Sequence, residues 1–242
     1  VSTSPSPLRV ALIGSRGIPA SYGGYETLME ELSRRLAERG LHVTVYCRSH
    51  YTPRDLKSHN GVELVVLPTL RTKYLDTPVH TALSCLHAAV RGYDAALVVN
   101  SANAPFLPLL KLRGIPMALN VDGIEKRRAK WGWFGRTVYA ISERLATRWP
   151  SILLTDAETI HDHYLERYDA PSTVITYGVD PRPVPPGETL KKLGLESRKY
   201  FLYVSRFEPE NNPHRVAEAY RHVTGTMPLV MVGGAPYATS FI

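Results

Sequence analysis

The sequence reads as an α/β protein organised around a doubly wound parallel sheet, on three observations. Short β-branched runs alternate with helical patterns along the chain, which is the alternation that builds βα units. Several of these runs are nearly continuous in apolar residues, as in Ala95-Ala96-Leu97-Val98-Val99, and that suits strands covered by helices on both faces. The first run, Val10 to Ile13, enters a loop carrying Gly14, Gly17, Gly23 and Gly24 and then a long helical pattern. Strand, glycine loop and helix N-terminus in that order form a polar pocket at the carboxyl edge of a sheet. The first-turn N–H groups and the positive end of the helix dipole point into it.

Strands are expected at 8–13, 42–47, 62–67, 94–99, 116–121, 151–155 and 172–176, and helices at about 24–39, 77–91, 104–112, 134–148 and 157–167. In the first helix Leu28, Leu32 and Leu36 recur every fourth residue. Glu30, Glu31, Arg34, Arg35 and Glu38 cover much of the rest, and Gly40 ends it, as in an amphipathic helix with a glycine stop. Pro181, Pro183, Pro185, Pro186 and Gly187 fall within seven residues, which no helix or central strand accommodates. The division expected is a disordered leader over 1–7, a Rossmann-like domain over 8–180, a linker over 181–187 and the start of a second α/β domain over 188–242. The last part has strand patterns at Tyr200–Ser205 and Pro228–Val232 and a helix pattern at Pro213–Val223. Two parallel strands and a helix or two do not enclose a core, so either this part docks on the first domain or the chain is a fragment of a longer protein, and the fragment is the favoured expectation.

Spacing narrows the chemistry. A dinucleotide fingerprint needs G-x-G-x-x-G directly after the strand, whereas Gly14 and Gly17 are three apart and Gly23 comes six residues later. No G-x-x-x-x-G-K-[ST] occurs, which excludes a P-loop. Hydrophobic content of 44% and charged content of 21% are those of a soluble globular protein. No apolar run approaches the ~20 residues of a membrane span, and the polar stretch Val1 to Pro7 has no signal-peptide core. Cys47 and Cys85 are too few for a disulfide framework; reduced thiols in a cytoplasmic protein are expected.

Much of the net charge of +7 lies in residues 126–136. There Lys126, Arg127, Arg128, Lys130 and Arg136 occur without an acid and interleave Trp131, Trp133 and Phe134. Cations beside tryptophan suit an anionic membrane surface, where charges meet headgroups and rings sit at the interface. Nucleic acid, by phosphate contact and stacking, and a solvated loop with inward-packed tryptophans are the competing readings. No nucleic-acid-binding motif occurs, so membrane ranks above nucleic acid.

Ligands of open α/β sheets collect beyond the carboxyl ends of the strands. Asp122, just after the 116–121 strand, is therefore the candidate reacting carboxylate, the alternative being an N-cap or turn residue. Asn100, Ser101 and Asn103 after the neighbouring strand are either hydroxyl-binding groups or caps of the next helix; Glu26 joins Asn100 and Asn103 as an acceptor-pocket candidate. In the second part Arg206 follows a strand and is placed to pair with a diphosphate. Gly233-Gly234 after the next strand permits close backbone approach. No metal site is expected, because His161 and His163 are two apart on a helix and His80 and His87 have no carboxylate in register, unlike a ligand cluster.

Three segments carry a family resemblance. They are Gly14-Ser15-Arg16-Gly17-Ile18-Pro19-Ala20-Ser21-Tyr22-Gly23-Gly24-Tyr25-Glu26, Asn120-Val121-Asp122-Gly123-Ile124-Glu125-Lys126-Arg127-Arg128-Ala129-Lys130-Trp131, and Ser205-Arg206-Phe207-Glu208-Pro209-Glu210-Asn211-Asn212. Together they resemble the bacterial glycosyltransferases of family 4, in particular the rhamnosyltransferase-like branch of capsule and cell-wall polysaccharide synthesis. The resemblance covers most of the chain from Leu8 on. It implies a GT-B fold, with two Rossmann-like domains and the active site in the cleft between them. It further implies a nucleotide-diphosphate sugar as donor, retention at the anomeric carbon, and neither metal nor other cofactor.

Carried onto this chain, the resemblance puts Gly23 and Gly24 in the loop facing the donor, Asp122 near the acceptor, and Arg206 on the donor pyrophosphate. Asn211 and Gly233 fall in the same donor site. Relatives carry lysine where this chain has Asn211, so neutralisation leans on Arg206 and helix N-termini. Tryptophan commonly stands where this chain has Lys126. The implied partners are a nucleotide-sugar donor and a glycan or lipid-linked glycan acceptor at the inner face of the cell membrane, with no nucleic acid. The family's second acidic motif does not occur before Ile242, so the chain alone is expected to be inactive. The reading from another class is a non-catalytic Rossmann-like domain that holds anionic lipid or nucleic acid through 126–136.

Overall fold

The computed structural model describes residues 6–21, 23–72, 74–123, 132–179, 181, 185 and 187–234. Residues 1–5 of the leader, most of the proline-rich linker, and Lys126, Arg127, Arg128, Lys130 and Trp131 lie outside the described residues. The chain divides into two compact units, the first reaching Gly178 and the second starting at Val179.

The first unit holds strands β1 (Arg9–Ile13), β2 (His42–Arg48), β3 (Ser58–His59), β4 (Val62–Leu67), β5 (Ala95–Val99), β6 (Met117–Val121), β7 (Ile152–Thr155) and β8 (Thr173–Val174). They form one sheet in the order β3-β4-β2-β1-β5-β6-β7-β8, parallel throughout except for β3 against β4. β1 pairs with β2 on one side and β5 on the other, so the strand order reverses there and the following loops diverge to open a crevice.

Successive residues of a strand feed opposite faces. Leu12, Val43 and Val45 pack with Met29 of α1 (Gly24–Glu38). On the other face Ala11, Ile13, Tyr46 and Val98 pack with Cys85 and Ala88 of α2 (Asp76–Ala89) and with Leu107 and Leu110 of α3 (Leu107–Lys111). Ala146 of α4 (Trp133–Ala146) and Tyr164 of α5 (Glu158–Tyr168) belong to the same layer. Burying a Leu, Ile or Val contributes about 1.5–3 kcal/mol, and two covered faces explain the continuous apolar runs. Cys47 and Cys85 are buried free thiols. Burial raises both, Cys85 to about 12, which keeps them protonated and inert.

Local chemistry explains where the elements depart from expectation. The β3–β4 hairpin turns at Asn60 (φ 48) and Gly61 (φ 78), the Asn-Gly signature of a tight hairpin. The helix expected at 104–112 is a 3-10 turn over Ser101–Phe106 followed by α3. Pro105 and Pro108 lack the amides that one continuous α-helix would need.

The second unit comprises α6 (Glu188–Lys192), β9 (Phe201–Val204), α7 (Pro213–Tyr220) and β10 (Leu229–Val232), with the two strands parallel. Phe201, Leu202, Val204 and Val232 are exposed. Among its described residues no large apolar side chain is fully buried. No helix among the described residues is long and apolar enough to cross a membrane.

Candidate active site

The loop after β1 is held by packing and by carboxylates. A Cβ on Gly14 (φ +110) would sit 2.6 Å from the Val99 carbonyl oxygen and 2.7 Å from Asn103 Nδ2; on Gly17 (φ +120) it would sit 2.6 Å from Cys47 Cβ. These two glycines serve close approach to neighbouring strands. Two acids one turn apart on α1 fasten the rest. Glu26 Oε1 accepts from the Arg16 N–H at 2.9 Å, and Glu30 Oε2 accepts from the Ala20 N–H at 2.6 Å. The other Glu30 oxygen is 2.8 Å from His59 Nε2 on β3. Bonds to a charged acceptor contribute about 1.5–3 kcal/mol each, so the loop is pinned to the helix it precedes. Glu26 is buried, and a Cβ on Gly23 (φ +108) would run into its second oxygen. Gly24 differs, since a Cβ there meets nothing within 4 Å. It opens α1, which has no side-chain cap; first-turn amides have no intrahelical acceptor, so this end of the loop is the part suited to a ligand.

Around Tyr25, in the first turn of α1, stand Asp122 after β6, Asp156 after β7 and Tyr177 after β8. The Tyr25 hydroxyl is shut off from solvent without a hydrogen bond of good geometry. Burial above all, then the Asp122 carboxylate, push its pKa well above the ordinary phenol value. Burial, followed by Asp122 and Asp156, raises Tyr177 too, and its hydroxyl donates to Asn120 Oδ1 at 3.2 Å. Asp156 is also raised by burial, with its Oδ1 buried and unpartnered. Asp122 lies exposed at the rim. The set combines an accessible carboxylate, two phenols that stay protonated, the Tyr25 hydroxyl closed off behind the rim, and a second carboxyl biased toward its neutral form. Such groups read hydroxyls, accepting from them and donating to them.

Sequence position singles out Asp122 and misses Tyr25, Asn120, Asp156 and Tyr177. Asp156 carries the same signal, a carboxylate directly after a parallel strand. Tyr177 comes from an irregular segment that no local pattern marks. Asn100 (φ 74) caps the 3-10 turn, its Oδ1 accepting from the Ala102 N–H at 2.9 Å. Asn103 is wholly buried; it donates to the Val99 carbonyl at 2.6 Å and accepts from Thr81 Oγ1 at 2.7 Å. Both amides therefore act within the fold, positioning the β5 loop.

In the second unit Arg206 follows β9, half-exposed, with Nη1 3.7 Å from Glu208 Oε1. Asn211 Nδ2 donates to the Arg206 carbonyl at 2.8 Å, and the Asn211 carbonyl accepts from the Tyr203 hydroxyl at 2.6 Å, so Asn211 braces the arginine's loop. A Cβ on Gly233 would collide with the Ser205 carbonyl, whereas Gly234 faces open space. Trp133 is 80% exposed, so it does not pack inward. Among the described residues no three His, Cys, Asp or Glu side chains converge as metal ligands.

The profile of the family described as Glycosyltransferase Family 4 matches residues 22–182. No curated protein matches the chain. Among solved structures the chain is similar to Anabaena Alr3699/HepE in complex with UDP and glucose, at 15% identity and TM-score 0.70, over 96% of this chain and 63% of that one. It is also similar to Arabidopsis thaliana UGT89C1 complexed with UDP-L-rhamnose (13% identity, TM-score 0.55, 96% and 71% of the two chains). Phytolacca americana UGT2, complexed with UDP-2fluoro-glucose and pterostilbene, matches at 12% identity and TM-score 0.52, over 84% and 60%. At these identities the likeness is one of fold, the GT-B fold with its Rossmann-like, mostly parallel sheet. The chain spans 63% of the length of the HepE chain.

Proposed function

The chain belongs to glycosyltransferase family 4, and from that premise we propose that it transfers a sugar from a nucleotide-diphosphate donor to a membrane-associated glycan acceptor. Transfer proceeds with retention at the anomeric carbon and without a metal, on the cytoplasmic face of the membrane, in polysaccharide synthesis. The observation that carries this reading is the Tyr25–Asp122–Asp156–Tyr177 cluster at the carboxyl edge of the sheet, within the residues that match the family. The UDP and glucose in the HepE complex and the UDP-L-rhamnose in the UGT89C1 complex support a nucleotide-diphosphate sugar; the donor sugar proposed, on the family resemblance, is a deoxyhexose such as rhamnose.

In the reaction the bond from the anomeric carbon to the diphosphate oxygen breaks. The acceptor oxygen bonds to that carbon from the same face, and the acceptor hydroxyl gives its proton to the departing diphosphate oxygen. Asp122 orients the hydroxyl by accepting its hydrogen bond, a positioning effect that converts encounter into near-attack geometry. Tyr177 remains a neutral donor at the same edge, and Tyr25, its hydroxyl closed off from solvent, stays neutral behind it. Arg206 pairs with the departing diphosphate, where a fixed cation counts most as charge develops. Asn211 is neutral, so charge compensation rests on Arg206 and on helix N-termini such as that at Gly24.

The test is the anomeric configuration of the product. The full-length protein is supplied with nucleotide-diphosphate sugars and a lipid-linked glycan, and the linkage is read by NMR. Retention is expected; an inverted product, or no transfer to any glycan, overturns the reading.

A further inference from the structure

Helix α4 presents four of its large apolar residues to solvent. Its inward positions are Gly135, Ser142, Glu143 and Ala146, all buried, while Trp133, Phe134, Val138 and Ile141 are 80%, 60%, 41% and 55% exposed. Phe134, Val138 and Ile141 stand at i, i+4 and i+7 and form one stripe. The Trp133 ring meets the Phe134 ring edge-on at 6.1 Å. The helix's one acid, Glu143, is fully buried and accepts from the Tyr168 hydroxyl at 2.9 Å. Arg136 and Arg144 are therefore the charged groups of its exposed side; Arg144, three residues after Ile141, borders the stripe, whereas Arg136 points about 160° away from Phe134 and Val138. The sequence just before the helix adds Lys126, Arg127, Arg128 and Lys130 and no acid.

An apolar stripe with Arg144 at its edge and no acid on the exposed side of its own helix fits one surface especially well. Anionic headgroups offer negative charge continuously in a plane, with the acyl boundary a few ångströms beneath it for the apolar side chains. Tryptophan sits at that boundary, where one edge is wet and the body apolar. The 14 residues of α4 span about 21 Å, so the helix lies in the interface plane and does not cross it.

We propose that α4 docks on an anionic lipid bilayer, with Phe134, Val138 and Ile141 at the acyl boundary, Trp133 at headgroup level, and Arg144 on the headgroups. This deepens the membrane side of the proposed function, but its test reads binding alone and needs neither donor nor acceptor. A failure here leaves the sugar transfer, which is read from its own product, standing.

The test is co-sedimentation of the protein with phosphatidylcholine vesicles, with and without phosphatidylglycerol, and light scattering of the free protein. Binding is expected only with phosphatidylglycerol and weakens as salt screens the charges. Arg144→Gln lowers it about fivefold, whereas Arg136→Gln, on the side of the helix away from the stripe, leaves it unchanged. Ile141→Glu abolishes it with unchanged circular dichroism and melting; Val138→Glu serves as the second variant should Ile141→Glu disturb the fold. Equal binding to both vesicles, no binding, or binding indifferent to Ile141→Glu and Val138→Glu overturns the proposal. A dimer in solution that either glutamate dissociates overturns it too, by assigning the face to a second copy.

Discussion

Replacing Gly14 by alanine puts a methyl group 2.6 Å from the Val99 carbonyl oxygen and 2.7 Å from Asn103 Nδ2. Neither atom is the tip of a flexible side chain. Val99 is fixed in β5 between β1 and β6, and the Asn103 amide is bonded on both sides. A side chain at φ +110 costs about 1–3 kcal/mol, and overpacking adds about 1–3 kcal/mol. The sum is about 2–6 kcal/mol, and even its lower end lowers the melting temperature of a chain this size by about 4 °C. Gly24→Ala meets nothing within 4 Å and should stay within about 1 kcal/mol of wild type. In the proposed site its methyl group stands at the ligand-facing end of the loop, so transfer is expected to fall while the fold stays. Thermal melting followed by circular dichroism, paired with transfer rates, separates the two. A Gly14→Ala variant that melts with wild type, or a Gly24→Ala variant as unstable as Gly14→Ala, refutes the division of these glycines into packing and ligand-facing roles.

Two further expectations concern pH. His80 is fully buried, and burial first, then Arg48, lowers its pKa to about 4. An unfolded histidine titrates near 6.5, so its stabilising effect is complete above about 6.5 and is lost as pH falls toward 4, by about 3 kcal/mol in all. Urea unfolding across that range checks this: His80→Leu should flatten the slope, and an unchanged slope contradicts it. Asp156 is shifted the other way, raised by burial. Its folded form therefore holds the proton more tightly, and it opposes stability as pH rises through the raised value. Asp156→Asn should stabilise the protein at neutral pH, with the gain vanishing below the ordinary aspartate range near 3.9; a neutral variant no more stable than wild type at pH 7 contradicts it.

The order of elements and the carboxyl-edge placement of Asp122 follow from period and spacing, because two-sided burial imprints itself on each strand. The Asn60-Gly61 hairpin and the prolines that divide 104–112 were equally open to local reading. What the glycines do was not. Gly14, Gly17 and Gly24 look alike in sequence, and only the neighbours brought by β2 and β5 distinguish a packing contact from open space. The same holds for α4, whose pattern marks a helix. Which face it buries depends on Glu143 finding Tyr168, 25 residues away. Asp156 shared the signal that picked out Asp122, whereas Tyr25 and Tyr177 joined the cluster through tertiary contact alone.

The central claim is that Asp122 orients the acceptor hydroxyl in a sugar transfer. The direct test is the turnover of Asp122→Asn in the full-length enzyme, with donor binding measured alongside. Loss of an orienting carboxylate should lower kcat about 100-fold and leave nucleotide-sugar affinity unchanged. A near-normal kcat would contradict the claim.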